Sequence, residues 1–169
     1  MDFKIIRTQR LTLIPATPDL FLFEQNHDVF PECIKEVTIP DNWPPEAMSE
    51  DVISLFLNLA RENKLYTYYW ISEEMSGKRI LSGSGGFIDL ENGEYELGYS
   101  VLEQFQNRGY ATEAVKAMTE WFCGHDFKKR IIAKTGSENT PSIRVLEKNG
   151  FKQSDFDNEN DLWVYLYKY

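Results

Sequence analysis

The stretch Gln106-Asn107-Arg108-Gly109-Tyr110-Ala111-Thr112 lies between two segments whose patterns predict a strand, residues 95–102, and an amphipathic helix, residues 109–122. A glycine and a small residue at the start of a helix let a ligand approach the backbone closely. The unpaired N–H groups of the first turn and the helix dipole both favour an anion there. We therefore expect this turn to bind a pyrophosphate. It has neither the Gly-Lys-Ser/Thr of a Walker A loop nor a full G-x-G-x-x-G, and a glycine before a helix also occurs for purely structural reasons.

Outward from this turn, strand and helix patterns alternate along the whole chain. Period-two patterns and turn signals predict strands at 10–16, 66–72, 80–90, 95–102, 130–135, 151–154 and 162–168. Helical spacing and capping signals predict helices at 18–26, 47–62, 109–122 and 140–149. A proline-rich segment, 38–46, and an acidic, Asn-rich segment, 155–161, are predicted loops. We expect one mixed α/β domain over residues 1–169.

Composition restricts the class of protein. The chain is 42% hydrophobic and 27% charged, which is typical of a globular domain, and its formal net charge is −9. A negative surface repels phosphate backbones and attracts cations, so we expect amines rather than nucleic acid as partners, although such charge also serves solubility alone. The sequence shows no signal peptide and no apolar run long enough for a membrane helix. The chain has only two cysteines, far apart in sequence, which we expect to be buried free thiols in a cytoplasmic protein. No residues have zinc-ligand spacing, so we expect no metal.

Three separated motifs resemble those of one family. Gln106-x-x-Gly109-x-Ala111, preceded by Glu96-Leu97-Gly98-Tyr99, is similar to the acetyl-CoA motif of the GNAT superfamily. The resemblance continues in Asn139-x-x-Ser142-Ile143-Arg144-Val145-Leu146-Glu147-Lys148-Asn149-Gly150-Phe151. Thr8-x-Arg10-Leu11-x-Leu13 and Trp43-Pro44-Pro45 are similar to the RimJ/RimL branch, the ribosomal-protein N-terminal acetyltransferases.

The resemblance implies a fold and a cofactor. The GNAT fold has a central, mostly antiparallel twisted sheet, here of about six to seven strands flanked by about four helices. The sheet is splayed between its fourth and fifth strands, here 95–102 and 130–135, and acetyl-CoA lies in the split. The implied cofactor-binding residues are Ser100, Val101, Leu102, Gln106, Asn107, Arg108, Gly109, Tyr110, Ala111, Thr112, Asn139 and Ser142. Arg108 is equally well explained as a solvated arginine, and Asn139 as a helix cap.

The resemblance also implies two catalytic residues. Glu96 matches the strand position where many relatives carry a general base, with a structural ion pair as its alternative role and Glu94 as a second carboxylate on the same strand face. Many relatives carry a tyrosine acid four residues after Ser142, but here that position is Leu146. In the RimL-like branch the serine of the N-x-x-S pattern donates the proton to the leaving thiol, and in this chain that serine is Ser142. A serine in the first turn of a helix also suits simple capping. Tyr99, Tyr110 and Tyr165 are further donors to consider.

The resemblance therefore implies the transfer of an acetyl group from acetyl-CoA to a primary amine in a ternary complex. The acceptor is a protein N-terminus, a polyamine or another small amine, and the alternative is a non-catalytic acyl-CoA-binding regulatory protein. The resemblance places the acceptor side at residues 21–30, 40–46 and 155–161, with Trp43, Phe30 and the acidic loop as candidate lining. For each of these taken singly, aromatic packing or a solvated turn is the favoured explanation. We expect no membrane partner, and a homodimer is compatible with the sequence, which does not fix the oligomeric state.

Overall fold

Eight strands and four α-helices form in the part of the chain that the computed structural model describes, residues 4–26, 31–45, 48–125 and 130–167. The strands are β1 (Ile6–Arg7), β2 (Leu11–Pro15), β3 (Leu65–Glu73), β4 (Arg79–Asp89), β5 (Glu94–Val101), β6 (Arg130–Thr135), β7 (Phe151–Asp157) and β8 (Leu162–Tyr167). The helices are α1 (Pro18–Asn26), α2 (Glu50–Arg61), α3 (Tyr110–Cys123) and α4 (Thr140–Lys148).

The strands form one sheet in the order β1-β2-β3-β4-β5-β6-β8-β7. All neighbours are antiparallel except β5 and β6, which are parallel. The predicted mixed α/β sheet, splayed between the strands at 95–102 and 130–135, is therefore confirmed. The strand beyond the predicted six to seven is β1, whose two residues are too few to show a period.

Helices pack on both faces of the sheet and bury two apolar clusters. On one face, α3 and α4 cover a cluster that includes Trp70, Phe87 and Phe122. The Trp70 ring lies flat across β4, where a Cβ added at Gly83 or Gly85 would come within 2.9 Å of it. On the other face, α1 and α2 cover a second cluster that includes Leu20, Phe21, Leu57 and Tyr69. These helices cover β2 to β4, and the same face of β5, β6 and β8 remains partly exposed.

Two of the sequence expectations are wrong. Residues 155–157 were expected in a loop, but they belong to β7, and the turn occupies only 158–161. Asp155 and Asp157 are poor strand formers, yet pairing with β8 and a 4.8 Å contact between the rings of Phe156 and Trp163 hold this segment extended. The cysteines are free as expected, but Cys33 is exposed rather than buried.

Candidate active site

The two parallel strands in the middle of the sheet separate halfway along their length. Strands β5 and β6 pair from Glu94 with Arg130 to Leu97 with Ala133. Beyond Leu97, β5 continues to Val101 and pairs with β4 on its other side, while β6 pairs with β8. In the described part of the chain, the β5 edge that faces β6 therefore has no strand partner after Leu97.

Helix α3 begins beside this opening. Its N-cap is Gly109, with a φ of 78°, and Asn107 also has a positive φ, of 59°. Glycine tolerates this left-handed conformation, and the chain can turn sharply into the helix. No side chain of a described residue caps the first turn of α3. The N–H groups of that turn are thus left for another acceptor, and the helix dipole favours an anion.

A cleft of about 520 Å³ lies between the end of β5, the start of α3 and the helix α4. This volume is within the range of small-molecule and cofactor sites. Ten of the twelve residues predicted to bind the cofactor line it: Ser100, Val101, Gln106, Asn107, Gly109, Tyr110, Ala111, Thr112, Asn139 and Ser142.

The other two predicted cofactor residues do not line the cleft. Leu102 is 3% exposed and packs in a small cluster with Ile80 and Phe105. Arg108 is exposed, its guanidinium lies 5.4 Å from the centre of the Phe105 ring, and its carbonyl oxygen accepts a hydrogen bond from Arg10. What Arg108 brings to the start of α3 in this structure is its backbone.

Sequence reasoning missed several residues of the cleft, of which two carry positive charge. Arg144 and Lys148 are four residues apart on α4 and both line the cleft. Side chains at this spacing share one face of a helix, so their two charges lie along the wall opposite the start of α3. The sequence signal that could have identified these two cleft residues was their spacing of four in a helix already predicted to begin after Asn139.

Two neighbours, Asn139 and Tyr99, hold Ser142 in the wall of the cleft. Its N–H donates to Asn139 Oδ1 at 3.2 Å, so Asn139 does cap α4. The Tyr99 hydroxyl lies 2.9 Å from Ser142 Oγ and 3.1 Å from the Ser142 carbonyl oxygen. Burial raises the pKa of Tyr99 to about 12, and the hydrogen bond with Ser142 lowers it in part. Tyr99 is therefore a neutral hydroxyl that orients Ser142 from the unpaired part of β5.

The other hydroxyl candidates lie elsewhere. Tyr110 lines the cleft beside Phe105. Tyr165 is 2% exposed within the core cluster under α3 and α4. Leu146, at the position of the tyrosine acid of many relatives, is 1% exposed and packs in that same cluster. The residue at 146 thus serves packing in this chain.

Glu96 lies on the opposite face of β5 from Tyr99, beside the point where the strands separate. Successive side chains alternate between the faces of a strand, so Glu94, Glu96 and Gly98 share this face. Burial raises the pKa of Glu96, the nearby positive charge of Lys134 lowers it in part, and the negative charge of Asp157 adds to the rise. No hydrogen bond or ion pair joins Glu96 to any described residue.

The neighbouring charges on this face are paired. Lys134 Nζ lies 2.9 Å from Asp157 Oδ2, and Arg130 Nη1 lies 3.2 Å from Glu94 Oε1. Glu94 therefore takes the ion-pair role that is the structural alternative for a carboxylate on this face. Glu96 is also half-buried but forms no hydrogen bond or ion pair with a described residue, which suits it to accept a proton.

The surface next to Glu96 is open. A Cβ added at Gly98 would meet no atom within 4 Å. The sheet therefore leaves room for a ligand directly beside Glu96 where the split begins.

The elements expected on the acceptor side are only partly described. Trp43 is half-buried, and its indole N–H donates to the buried Glu24 at 2.6 Å while its ring packs edge-to-face on Tyr69 at 5.2 Å. Trp43 thus has a packing role. Asp157 contributes to the Glu96 face through Lys134, and Phe30 lies outside the described residues.

No group of three or more His, Cys, Asp or Glu side chains in the described ranges is arranged to hold a metal ion. None of the described helices is both long and apolar enough to cross a membrane.

Comparison with known proteins agrees with the fold. Residues 10–152 match the model of the acetyltransferase (GNAT) domain family. The chain is 27% identical over 168 residues to the uncharacterized N-acetyltransferase YjdG of Bacillus subtilis (strain 168), covering 97% of this chain and 99% of that protein. An acetyltransferase structure from Agrobacterium tumefaciens str. C58 matches with a TM-score of 0.67 at 20% identity, covering 100% and 96% of the two chains. The structure of RimL, a ribosomal L7/L12 alpha-N-protein acetyltransferase, matches with a TM-score of 0.67 at 16% identity, covering 97% and 93%.

The split sheet, the uncapped start of α3 and the family match lead to one class of protein, an acyltransferase. This chain belongs to the GNAT acetyltransferase family.

Proposed function

We propose that this protein transfers an acetyl group from acetyl-CoA to a primary amine by direct transfer in a ternary complex, as a member of the RimJ/RimL-like branch. The observation that carries the proposal is the half-buried Glu96 at the opening of the sheet, on the face opposite the cleft residue Tyr99. Among the described residues, Glu96 has no hydrogen-bond or ion-pair partner. A thioester that reaches through the split from the cleft would meet an amine held beside Glu96.

The cleft suits the parts of acetyl-CoA. The backbone N–H groups at the start of α3, within residues 108–112, would hold the pyrophosphate, and Arg144 and Lys148 would face its negative charge from the opposite wall. The free edge of β5 at Ser100 and Val101 would pair with the amide groups of the pantetheine arm as an added strand does. When bound, acetyl-CoA would supply the acetyl thioester, and the protein would position the reactants and transfer protons.

Glu96 would act as the general base. An alkylammonium ion cannot attack a thioester, so one proton must leave the nitrogen before or during attack. The carboxylate of Glu96 accepts it directly or through one water. Burial favours the neutral form of this side chain, and this raises the proton affinity of the carboxylate. The positive charge of Lys134, which Asp157 holds in place, limits that rise in the pKa of Glu96.

Ser142 would supply a proton to the departing sulfur. When the C–S bond breaks, the electron pair stays on sulfur, and the hydroxyl of Ser142 donates a hydrogen bond or its proton. Tyr99 orients that hydroxyl from 2.9 Å. Starting from an alkylammonium ion, the nitrogen loses two protons: one is matched by the proton that the thiol gains, and the other leaves through Glu96 to solvent. The acetyl group moves from sulfur to nitrogen.

The acceptor is best sought among protein N-termini and polyamines. The neighbour RimL is described as an alpha-N-protein acetyltransferase, which puts N-terminal peptides first in a panel. A net charge of −9 favours cationic acceptors, which puts polyamines second.

The test is a thiol-release assay with acetyl-CoA over a panel of N-terminal peptides, polyamines and small primary amines. We expect release that depends on the acceptor and that Glu96→Gln reduces. Tight CoA binding by calorimetry without release for any acceptor would overturn the enzyme and support the non-catalytic acyl-CoA-binding alternative.

A further inference from the structure

Arg10, in the turn before β2, holds the start of α3 through several contacts. Its backbone N–H donates to Glu113 Oε1 at 2.8 Å, and its Nε donates to Glu113 Oε2 at 2.7 Å. Its Nη1 donates to the carbonyl oxygen of Arg108 at 2.6 Å. The guanidinium also lies 5.2 Å from the centre of the Tyr110 ring. One side chain thus holds the helix start on both sides of its N-cap.

These contacts bracket the segment that carries the uncapped N–H groups. Arg108 precedes the N-cap Gly109, and Glu113 is in the first turn after it. A Cβ added at Gly109 would lie 3.2 Å from Arg10 Nη2. Because the N-cap is a glycine, which has no side chain to fix the turn, Arg10 supplies the fixing contact from a distant part of the chain.

The pairing also has an electrostatic effect. A carboxylate in the first turn of a helix suits the dipole, but here it would lie close to a bound anion. Burial would raise the pKa of Glu113, but hydrogen bonds from Thr8 and from the backbone and side chain of Arg10 more than offset this, and its pKa is lowered. Glu113 is thus ionised. Without Arg10, its negative charge would repel a pyrophosphate bound at the start of α3.

We propose that Arg10 is a positioning residue for pyrophosphate binding, which fixes the backbone at 108–112 and neutralises Glu113 beside the anion. This inference rests on the proposed use of acetyl-CoA. The competing explanation is that the contacts of Arg10 only stabilise the packing of α3 next to β2. In that case losing them would lower the stability of the protein and affect all acetyl donors alike.

The experiment compares acetyl-CoA with S-acetylpantetheine, a donor that lacks the pyrophosphate. The variants are Arg10→Gln and Arg10→Lys, with Arg7→Gln on the exposed strand β1 as the matched control. We expect Arg10→Gln to weaken CoA binding in calorimetry about ten- to a hundredfold, the effect of losing hydrogen bonds to a charged group. We expect kcat/KM for S-acetylpantetheine and KM for the amine to stay near wild type. Arg10→Lys keeps the positive charge but loses the planar set of guanidinium donors. Its CoA affinity is expected to lie between those of the wild type and Arg10→Gln.

A second variant separates charge from geometry. In an Arg10→Gln background, Glu113→Gln removes the unpaired carboxylate and is expected to restore part of the CoA affinity without raising the melting temperature. Equal losses with both donors, or unchanged CoA affinity in folded Arg10→Gln, would overturn the inference and leave the proposed function intact. If wild-type protein bound no CoA, both would fall.

Discussion

Replacing Glu96 by Gln tests the proposed base with a nearly isosteric change. Since no ion pair or hydrogen bond to a described residue is lost, and burial disfavours the charged carboxylate, we expect an unchanged or slightly higher melting temperature. General base assistance contributes about 10²- to 10⁴-fold, so kcat should fall by that factor, which corresponds to about 2.7–5.4 kcal/mol of transition-state free energy. CoA affinity by calorimetry should be nearly intact.

The pH dependence of kcat/KM tests whether activity is lost on the acid side of the pKa of Glu96. The pKa of Glu96 is raised, so its base form is present above that pKa and lost as pH falls through it. The deficit of Glu96→Gln should be largest between the pKa of Glu96 and that of the amine, where the neutral amine is scarce. Glu94→Gln is the matched control, because it loses only a partly exposed ion pair, about 0.2–1 kcal/mol of stability, and little activity. Full kcat for Glu96→Gln at every pH would refute the assignment, and loss only in Glu94→Gln would move the base to that residue.

The remaining predictions concern the charges and glycines of the site. Lys134→Met should raise the pKa of Glu96 further and move the acid limb of kcat/KM to higher pH, and an unmoved limb would show that Lys134 does not act on Glu96. Gly98→Val should fold normally, because its Cβ region is open, yet lose turnover in the thiol-release assay; full activity would place the acceptor elsewhere. Gly109→Val should weaken CoA binding in calorimetry, since a left-handed φ and a branched side chain both disturb the turn, whereas Gly124→Ala at the other end of α3 should not. CoA at a hundred times its Kd should stabilise the wild-type protein by about 2.7 kcal/mol in thermal unfolding, and an indifferent melting temperature would contradict a functional cleft.

The parts of the site that the sequence could predict are those that local patterns encode. The strand-to-helix turn at Gly109 and the cap of Asn139 depend on neighbours within a few residues, and the structure places both in one cleft. The splay between β5 and β6 was predicted from the family motifs, because no local pattern encodes the pairing of strands separated by a helix.

The parts that sequence reasoning missed depend on long-range packing. The contact between Tyr99 and Ser142 joins residues 43 apart, and the hydrogen bond from Arg10 to Arg108 joins residues 98 apart. The extension of β7 through Asp157 follows from its pairing with β8, which overrides the low strand propensity of aspartate. In each case a tertiary contact decides what the local sequence leaves open.

The contacts of Arg10 bring the beginning of β2 to the phosphate end of the cleft in space, although more than ninety residues separate them along the chain. Removing residues 1–10 from an expression clone would delete the guanidinium that orders the start of α3, even though the remaining strands and helices keep their own sequence. A purification tag joined close to this segment would likewise stand near the mouth of the cleft. Tags are therefore better separated from residue 10 by a flexible spacer, and affinities measured on N-terminally trimmed protein should be compared with those of the full chain.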